Sequence, residues 1–545
     1  MMYAIAFSVI AGALGLYYLL FKNLNVFKKH NIPYMQPLPI VGNMGSMILR
    51  KQCFADILKN IYDLHHEAKY TGIFEYSLPT ILLRDPELIK SITLQQFNIF
   101  PNHHNFISKD QDPLIGKNLF GLNDKRWRAV RGILSPAFTS SKVKSMFKLM
   151  SDYAAEFANF IAQLPPDQSV IEAKDTFTRY TNDVITACAF GINVDSMRDP
   201  KNLFYVYGNE AANFNTVFFL KMQVIRMLPW LAALLRLKLF PKEVEKFFCD
   251  FVETIIKIRN EKGIFRRDML QLMMENRRKK EGWKELTIED ITSQAFLFFL
   301  GGFDPTSRLM CFAMYEIAVN EDVRKRLQNE IDQVLEDTNG EAAYEAINSM
   351  EYLGAVINEA LRMYPISVRT DRVCIKDFVL PPTLPGAKPF IVKKGGVVMI
   401  PIFGLHHDPK YFKKPEKFDP ERFLGEQKKA ILNTRAYLPF GLGPRMCIAS
   451  RFVLLETKVL LFHMLARCDL LPCEKTPMPL KLAKKGLIME PEGGFWLKTV
   501  PRKKIHRSVT VKTANGTREL ETISKMRIEN NRRQSLARKS QHAAA

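Results

Sequence analysis

The sequence predicts a mainly α-helical protein with small β-sheets, preceded by one N-terminal transmembrane helix. Three observations support this prediction. The chain starts with an uncharged apolar stretch, most segments between about residues 50 and 370 show helical periodicity, and the β-branched runs are few and short. With 47% apolar and 25% charged residues among 545, the chain has enough apolar side chains for a large core, which excludes wholesale disorder.

The N-terminal stretch from Tyr3 to Phe21 has no charged side chain and is long enough to cross a hydrocarbon layer of about 30 Å as a helix. Lysines follow it, which places the rest of the chain on the cytoplasmic side. We expect a transmembrane signal anchor over residues 1–21. A cleaved signal peptide is the alternative, but a charged leading region and a convincing cleavage site are missing. Residues 22–42 contain three prolines and are expected to form a stiff hinge.

Residues 43–501 are expected to form the folded body. One predicted helix has its apolar residues on a single stripe, and two β-branched runs, starting at Thr80 and Gly396, are predicted strands of a small sheet. The stretch from Phe218 to Phe240 mixes large apolar side chains with cations, so it is either a core helix or a surface element that dips into a bilayer. The residues of the helical stripe are Val323, Leu327, Ile331 and Leu335.

The formal charge of +22 is spread unevenly along the chain. Residues 502–545 carry twelve Lys or Arg against three Glu, or +9, and few large apolar side chains, so we expect a basic, disordered tail. This charge favours an anionic membrane surface or an acidic protein partner, and no nucleic-acid partner is expected. The eight cysteines lack the short paired spacings of zinc sites or disulfide frameworks and are expected to be reduced thiols.

One loop combines the residue types that can hold a sulfur against a metal. It reads Phe440-Gly-Leu-Gly-Pro-Arg445-Met-Cys447-Ile-Ala449 and leads into an apolar helical run. Glycines let the backbone approach closely, and a helix N-terminus just after the cysteine favours the thiolate. Because a single cysteine is usually a small core residue, the prediction depends on the whole pattern.

That ten-residue pattern resembles the haem-binding loop of cytochromes P450, with Ala449 where the family usually has glycine. The resemblance covers roughly residues 33–500. It is strongest for microsomal xenobiotic-metabolising members from insects, which are related to vertebrate family 3. It implies the cytochrome P450 fold, a haem b cofactor, and Cys447 as the ligand to the iron. It also implies that Phe440 and Arg445 contact the haem.

A pair of charged residues resembles the buried pair in the family's K helix. Glu359 and Arg362 stand three residues apart, which puts both charges on one helical face. Arg422, in Asp-Pro-Glu-Arg-Phe, resembles the family's partner that completes this charge network. The resemblance implies a structural role for these three residues.

A second pair suggests contacts to the haem propionates. Trp127 and Arg131 are four residues apart, so their indole N–H and guanidinium point to the same place on a helix. Arg372 resembles another of the family's propionate contacts. Each arginine alone would more often be a solvated surface cation.

The run from Phe296 to Ser307 resembles the I helix on the oxygen-binding side of the family, but it breaks the pattern at one place. Asp304 is followed by Pro305 where the family normally has threonine, and Thr306 comes one position later, about 100° further around a helix. Proline leaves the Gly301 carbonyl without its helical N–H and is expected to kink the helix. We assign Asp304 and Thr306 as the catalytic residues of proton delivery, with Thr306 or water restoring the relay.

The resemblance implies a membrane-bound monooxygenase domain over residues 43–501 that inserts one oxygen atom of O2 into lipophilic small molecules. NADPH-cytochrome P450 reductase would supply the electrons, with cytochrome b5 as an optional second partner, at the cytoplasmic side of the endoplasmic reticulum membrane. Pro305 leaves three alternatives open. They are a haem-thiolate isomerase or dehydratase, a haem protein that binds hydrophobic ligands without turnover, and a monooxygenase whose turnover is poor and uncoupled.

Overall fold

The computed structural model describes residue 12 and residues 24–502, apart from residues 105–106, 108–110, 215, 267, 277–285 and 485–486. Helix predominates, as predicted. The helices up to the centre of the chain are α1 (Val26–Lys29), α2 (Gly45–Ile48), α3 (Phe54–Tyr62), α4 (Pro86–Lys90), α5 (Pro113–Gly116), α6 (Asp124–Leu134), α7 (Ser140–Ala162), α8 (Ala173–Phe190), α9 (Leu203–Ala212), α10 (Thr216–Met227), α11 (Pro229–Leu234), α12 (Lys242–Lys262) and α13 (Met269–Glu275). The later helices are α14 (Ile288–Val319), α15 (Glu321–Asp337), α16 (Tyr344–Ser349), α17 (Glu351–Met363), α18 (Ile402–His406), α19 (Gly425–Thr434) and α20 (Ser450–Arg467).

Three small sheets lie among these helices. The strands are β1 (Tyr70–Glu75), β2 (Leu78–Leu83), β3 (Val170–Glu172), β4 (Thr370–Val373), β5 (Phe378–Leu380), β6 (Phe390–Val392), β7 (Val397–Ile400), β8 (Cys468–Leu471) and β9 (Trp496–Pro501). The strand orders are β1-β2-β7-β4, β3-β9-β8 and β5-β6. Both predicted strand runs are confirmed, and they pair in parallel, with Thr80 opposite Val397.

The predicted apolar stripe is confirmed in α15, where its four residues are buried. The longest described helix, α14, crosses the main core and packs against α8, α12 and α20. Its N-terminus carries a capping box, in which Thr287 and Asp290 satisfy each other's backbone N–H groups. The helix continues through Pro305 to Val319, so the proline is held inside a long helix by packing on several sides.

Part of the segment over residues 22–42 packs on the first sheet. Phe27, in α1, is only 1% exposed, and its ring lies 4.9 Å from that of Phe74 on β1. Gly72 makes room for this ring, because a Cβ built on Gly72 would lie 2.4 Å from the Phe27 side chain. The backbone of Tyr34 also pairs with Gly72. Residues of the expected proline-rich hinge therefore contact the first sheet.

The two predicted terminal segments fall almost entirely outside the described residues. Of residues 1–21 only Gly12 is described, and of residues 502–545 only Arg502, which pairs with Asp332 at 2.7 Å. Among the described helices, none is both long enough and apolar enough to cross a membrane.

The stretch from Phe218 to Phe240 contains most of α10 and all of α11, and its apolar residues lie on two different sides. On the inner side, Ile225 and Ala232 belong to a small core that is separate from the main one. On the outer side, Trp230 is 66% exposed and Leu234 is 72% exposed. The many apolar side chains of this segment therefore contribute both to a local core and to an exposed surface.

Candidate active site

The loop before α20 is fixed by its own backbone. The Cys447 N–H donates to the Phe440 carbonyl at 2.9 Å, and the Met446 N–H donates to the Gly443 carbonyl at 2.9 Å. Gly443 has a φ of +81°, and a Cβ there would lie 2.3 Å from the Thr93 carbonyl oxygen. The sequence folds this way because glycine alone fits such a turn without strain. The loop thereby presents Cys447 just ahead of α20.

The Cys447 side chain is accessible although many protein atoms surround it. It is exposed, yet surrounding protein atoms raise the pKa of its thiol. Both observations hold for a side chain that borders an internal chamber, where the surface is open but little water surrounds it. The Ala449 N–H and the Arg131 charge act in the opposite sense and favour the thiolate.

The four predicted propionate contacts gather around this loop. The Arg131 guanidinium donates to the Met446 carbonyl at 3.0 Å, and Arg372 donates to the Leu442 carbonyl at 3.3 Å. Arg445 lies over the Trp127 ring, 4.0 Å from its centroid. Residues from three distant parts of the sequence therefore meet at the Cys447 loop.

Two of these arginines are buried with unused donors. Among the described residues, the Nε of Arg372 and the Nη1 of Arg445 have no hydrogen-bond partner. Burial lowers the pKa of Arg372 to about 10 and that of Arg445 to about 9, because each cation is poorly compensated. Buried guanidiniums of this kind need an anionic acceptor.

The charged groups around the site have a net charge of about +2, which two anionic groups would neutralise. Asp371 accepts a hydrogen bond from the His104 N–H at 2.6 Å and pairs with His103 at 3.4 Å. Its pKa is held low, because His103 and Arg369 outweigh the effect of burial. In this neighbourhood five arginines face three carboxylates, which leaves two positive charges in excess. These arginines are Arg131, Arg226, Arg369, Arg372 and Arg445, and the carboxylates are Glu75, Asp124 and Asp371.

A haem b fits this donor set. Its two propionates would take up the unused donors of Arg372 and Arg445, and Cys447 would bind the iron. Both arginines were predicted from the resemblance, whereas the roles of His103 and Asp371 were not. The signal for Asp371 was available, because it lies directly before Arg372 in the same strand.

The predicted structural charge network is present and fully buried. Both Glu359 and Arg362 are 0% exposed, and Arg362 donates twice to the carboxylate, each time at 2.8 Å. Arg422 pairs with the same carboxylate at 3.3 Å. The Asp419 N–H donates to it as well, at 2.9 Å. This network joins α17 to the segment that leads toward the Cys447 loop.

One stripe of the otherwise buried helix α14 opens onto space. Gly301 is exposed, and a Cβ built there would meet nothing within 4 Å. Leu297 and Pro305, four residues before and after Gly301, are partly exposed on the same face. Because Pro305 has no N–H, the Gly301 carbonyl lacks its helical donor beside this opening.

The structure places the two predicted catalytic residues away from that open stripe. Asp304 is 4% exposed and pairs with Lys174 at 2.9 Å and Arg308 at 2.7 Å. These cations outweigh the effect of burial and lower the pKa of Asp304. Thr306 is fully buried, and its hydroxyl has no hydrogen-bond partner among the described residues. The pairing of Lys174 with Asp304 was not predicted. The pairing of Arg308 with Asp304 could have been, because the two residues are four positions apart on one helix.

The mainly helical fold, the cysteine loop and the buried arginines with unused donors define a haem-thiolate protein. The sequence matches the family described as "Cytochrome P450" over residues 32–497. It is 42% identical to cytochrome P450 9e2 of Blattella germanica, over 91% of this chain and 96% of that protein. It is 40% identical to probable cytochrome P450 9f2 of Drosophila melanogaster, over 91% and 99% of the two chains. Identity to cytochrome P450 3A31 of Mesocricetus auratus is 36%, over 88% and 93%.

The chain therefore belongs to the cytochrome P450 family, and it is a monooxygenase. The predicted kinship with insect and vertebrate family 3 members is confirmed.

Proposed function

We propose that the protein oxidises lipophilic small molecules, xenobiotic or endogenous, with electrons from NADPH delivered by NADPH-cytochrome P450 reductase. The observation that carries this proposal is the pair of buried arginines with unused donors beside the Cys447 loop. When bound, haem supplies the site of oxygen activation, and its thiolate ligand favours cleavage of the O–O bond. The carbon monoxide difference spectrum of the reduced protein tests this ligation directly.

The chain's own residues divide the work of the site. Cys447 would hold the iron, while Arg372 and Arg445 would hold the propionates and so orient the ring. The open stripe of α14 leaves room for a ligand beside Gly301. The partly exposed residues of this stripe include the apolar Leu297, which suits a lipophilic substrate.

Proton delivery is assigned to Asp304, Thr306 and water. Asp304 stays ionised beside Lys174 and Arg308, so it acts as an acceptor that organises donors around it. The Thr306 hydroxyl, two residues further along the same helix, has no hydrogen-bond partner among the described residues. The Gly301 carbonyl, freed by Pro305, is an acceptor that can hold a water at the open stripe.

Restoring threonine at position 305 tests this relay. In Pro305→Thr the ratio of product formed to NADPH consumed is expected to change by less than about twofold, because the native relay already works without that hydroxyl. In Thr306→Val the ratio is expected to fall about tenfold or more. Both ratios are measured with purified reductase and one lipophilic substrate. A large rise in Pro305→Thr would count against an intact native relay.

Pro305 also favours a second candidate function, in which the haem rearranges a substrate or only binds hydrophobic ligands. Both alternatives predict no substrate-dependent NADPH oxidation in the presence of reductase. The monooxygenase predicts that lipophilic compounds stimulate it. This measurement therefore separates the candidates without knowledge of the natural substrate.

Reductase docking is assigned to the face of α6. Lys125 and Arg128 are exposed on this helix, which also carries Trp127 and Arg131 beside the Cys447 loop. Cations on this face would attract an acidic redox partner and bring it close to the haem. Cytochrome b5 would use the same face as an optional second donor.

Attachment to the endoplasmic reticulum membrane is proposed through residues 1–21 and through the outer face of α10 and α11. Large apolar side chains on this face are exposed, and an exposed apolar patch of this kind marks a contact with a membrane or another protein. They include Val217, Leu220, Trp230, Leu234 and Leu235, at 57%, 60%, 66%, 72% and 57% exposure.

Contact of Trp230 with lipid is open to a fluorescence test. When the protein is bound to vesicles containing brominated lipid, tryptophan emission is expected to be quenched, because Trp230 lies in the interface. Trp230→Phe is expected to remove most of this quenching. Trp496→Phe, at a partly buried tryptophan in β9, is the matched control and is expected to keep it. Equal quenching in both variants would rule out this surface as the docking face.

A further inference from the structure

The C-terminal half of α15 and the loop after it form an acidic face, which consists of Asp332, Glu336, Asp337 and Glu341. Asp332 and Glu336 are one helical turn apart, so their carboxylates lie on the same side of the helix. Asp332 is partly exposed, and the other three residues are exposed. The face lies within residues 327–361, a stretch with eight Asp or Glu and no Lys or Arg, although the whole chain has a formal charge of +22.

The exposed carboxylates of the acidic face have no cationic partner in the described part of the chain. In the ion pairs among the described residues, Glu336, Asp337 and Glu341 take no part. Glu336 and Asp337 also lie in the last turn of α15, which carries no basic residue. Negative charge is unfavourable there, because the free carbonyl groups at a helix C-terminus carry partial negative charge. A cationic ligand on this face would therefore stabilise the end of α15.

Asp332 already binds the first residue of the basic tail. Arg502 donates to both oxygens of the Asp332 carboxylate, at 3.0 and 2.7 Å, and so forms a bidentate pair. It also donates to the Leu465 carbonyl from its guanidinium and to the Arg467 carbonyl from its backbone N–H, each at 2.8 Å. The Arg502 side chain is only 11% exposed. The tail therefore begins at the acidic face, with its first cation bound there.

The residues that follow Arg502 carry the complementary charge. Residues 503–518 contain five Lys or Arg and no Asp or Glu. Residues 503–545 together contain eleven Lys or Arg against three Glu, or +8. Glu336 lies about 6 Å along the helix axis from Asp332, and an extended chain spans about 3.4 Å per residue. The first cations after Arg502 are therefore within reach of the exposed carboxylates.

We propose that residues 503–518 dock on the acidic face and neutralise the C-terminal end of α15. The pair of Arg502 with Asp332 is the first contact of this interface. We assign the face to this segment because the covalent link gives its cations a high effective concentration there, which a separate partner lacks. Complementary charge supplies the attraction. Docking of this kind would hold whatever reaction the protein catalyses.

Carbodiimide, which joins a carboxylate to an amine in contact with it, tests the docking in the full-length haem-loaded protein. At low salt we expect links from Lys503, Lys504 and Lys512 to the acidic face, mapped by mass spectrometry. Raising the salt to about 0.5 M is expected to lower their yield about fivefold or more, because exposed charges are then screened. Links from the same lysines to Glu253, an exposed acid on α12, are expected to be rare at both salt concentrations.

Tryptic cleavage after Lys512 measures the docking in variants of the face. The triple variant Glu336→Gln, Asp337→Asn, Glu341→Gln is expected to be cleaved there about fivefold faster or more than the parent. The reason is that a docked segment must detach before it enters the protease. Cleavage after Arg538, twenty positions or more beyond the docked segment, is expected to be equally fast in both proteins and serves as the reference within the same chain.

The matched control removes the same number of exposed acids from α12, in the triple variant Glu243→Gln, Asp250→Asn, Glu253→Gln. This control is expected to be cleaved after Lys512 at the rate of the parent. Equal cleavage rates in the parent and in the variant of the acidic face would overturn the docking. The same acceleration in the α12 control would overturn it too, because any loss of acidic charge would then have the same effect.

Two other occupants of these charges predict different results. If the tail of a second copy covered the face, a mixture of isotope-labelled and unlabelled protein would give links between the two. If the tail bound anionic lipid instead, vesicles rich in phosphatidylserine would abolish the links. Docking within one chain predicts links only inside each copy, and it predicts that they persist with vesicles. Either opposite result would overturn the proposal.

Discussion

Replacing Cys447 with alanine is expected to abolish both the thiolate-type carbon monoxide spectrum and NADPH-dependent turnover. The methyl side chain of alanine cannot ligate iron, and no other described thiol lies in this loop. The arginines around the loop stay in place, so residual haem is expected to bind weakly through its propionates. Haem content per protein and the reduced difference spectrum check this expectation.

The control for that experiment is Cys249→Ala, at a partly buried cysteine on α12. This variant is expected to match the parent in pigment content, spectrum and turnover, because Cys249 is remote in sequence from the loop. If Cys447→Ala kept the parent's pigment and absorption, the thiolate assignment would be wrong, and the proposed reaction with it.

Local patterns predicted those parts of the fold that local physics decides. The buried stripe of α15 follows from helical spacing, and the strand of Val397 follows from β-branched residues. The long helix was expected to kink at Pro305, and it continues through the proline to Val319. Propensity describes an isolated helix, and a helix packed on several sides is held by its neighbours.

Contacts between residues far apart in the sequence could not be predicted from local patterns. The Cys447 loop was identified by its pattern, and Arg372 by family resemblance, but nothing local pairs Asp304 with Lys174. Their separation of 130 positions is bridged only when α8 packs on α14. The same applies to Glu75 and Arg226, whose charges meet only when α10 lies on the first sheet.

Helix geometry alone predicts on which side of α14 the Thr306 hydroxyl lies. A step of about 100° from the usual threonine position turns the hydroxyl off the face of Gly301 and Pro305. The structure agrees, because Thr306 is fully buried while Gly301 is exposed. Helix geometry thus predicted the direction of the hydroxyl. Only the packed structure shows that this hydroxyl has no hydrogen-bond partner among the described residues.

Glu359→Gln is expected to destabilise the fold by about 3–5 kcal/mol, because it leaves Arg362 charged and uncompensated in a fully buried site. A domain of ordinary stability has only about 5–15 kcal/mol in total, so little haem-loaded protein should accumulate at 37 °C. Thermal unfolding and haem content per protein measure the loss. Glu426→Gln is the matched control, since Glu426 pairs with Lys429 on the surface and should contribute well under about 1 kcal/mol.

The double variant Glu359→Gln with Arg362→Met separates the cost of an orphaned charge from the value of the pair itself. Removing both charges takes away the uncompensated cation, so the double variant is expected to be more stable than Glu359→Gln alone. Arg422 then has no carboxylate partner, but at 6% exposure it still donates to the Lys414 carbonyl at 2.9 Å. A double variant that loses as much stability as the two single changes added together would contradict this account, because independent residues add and a coupled buried pair does not.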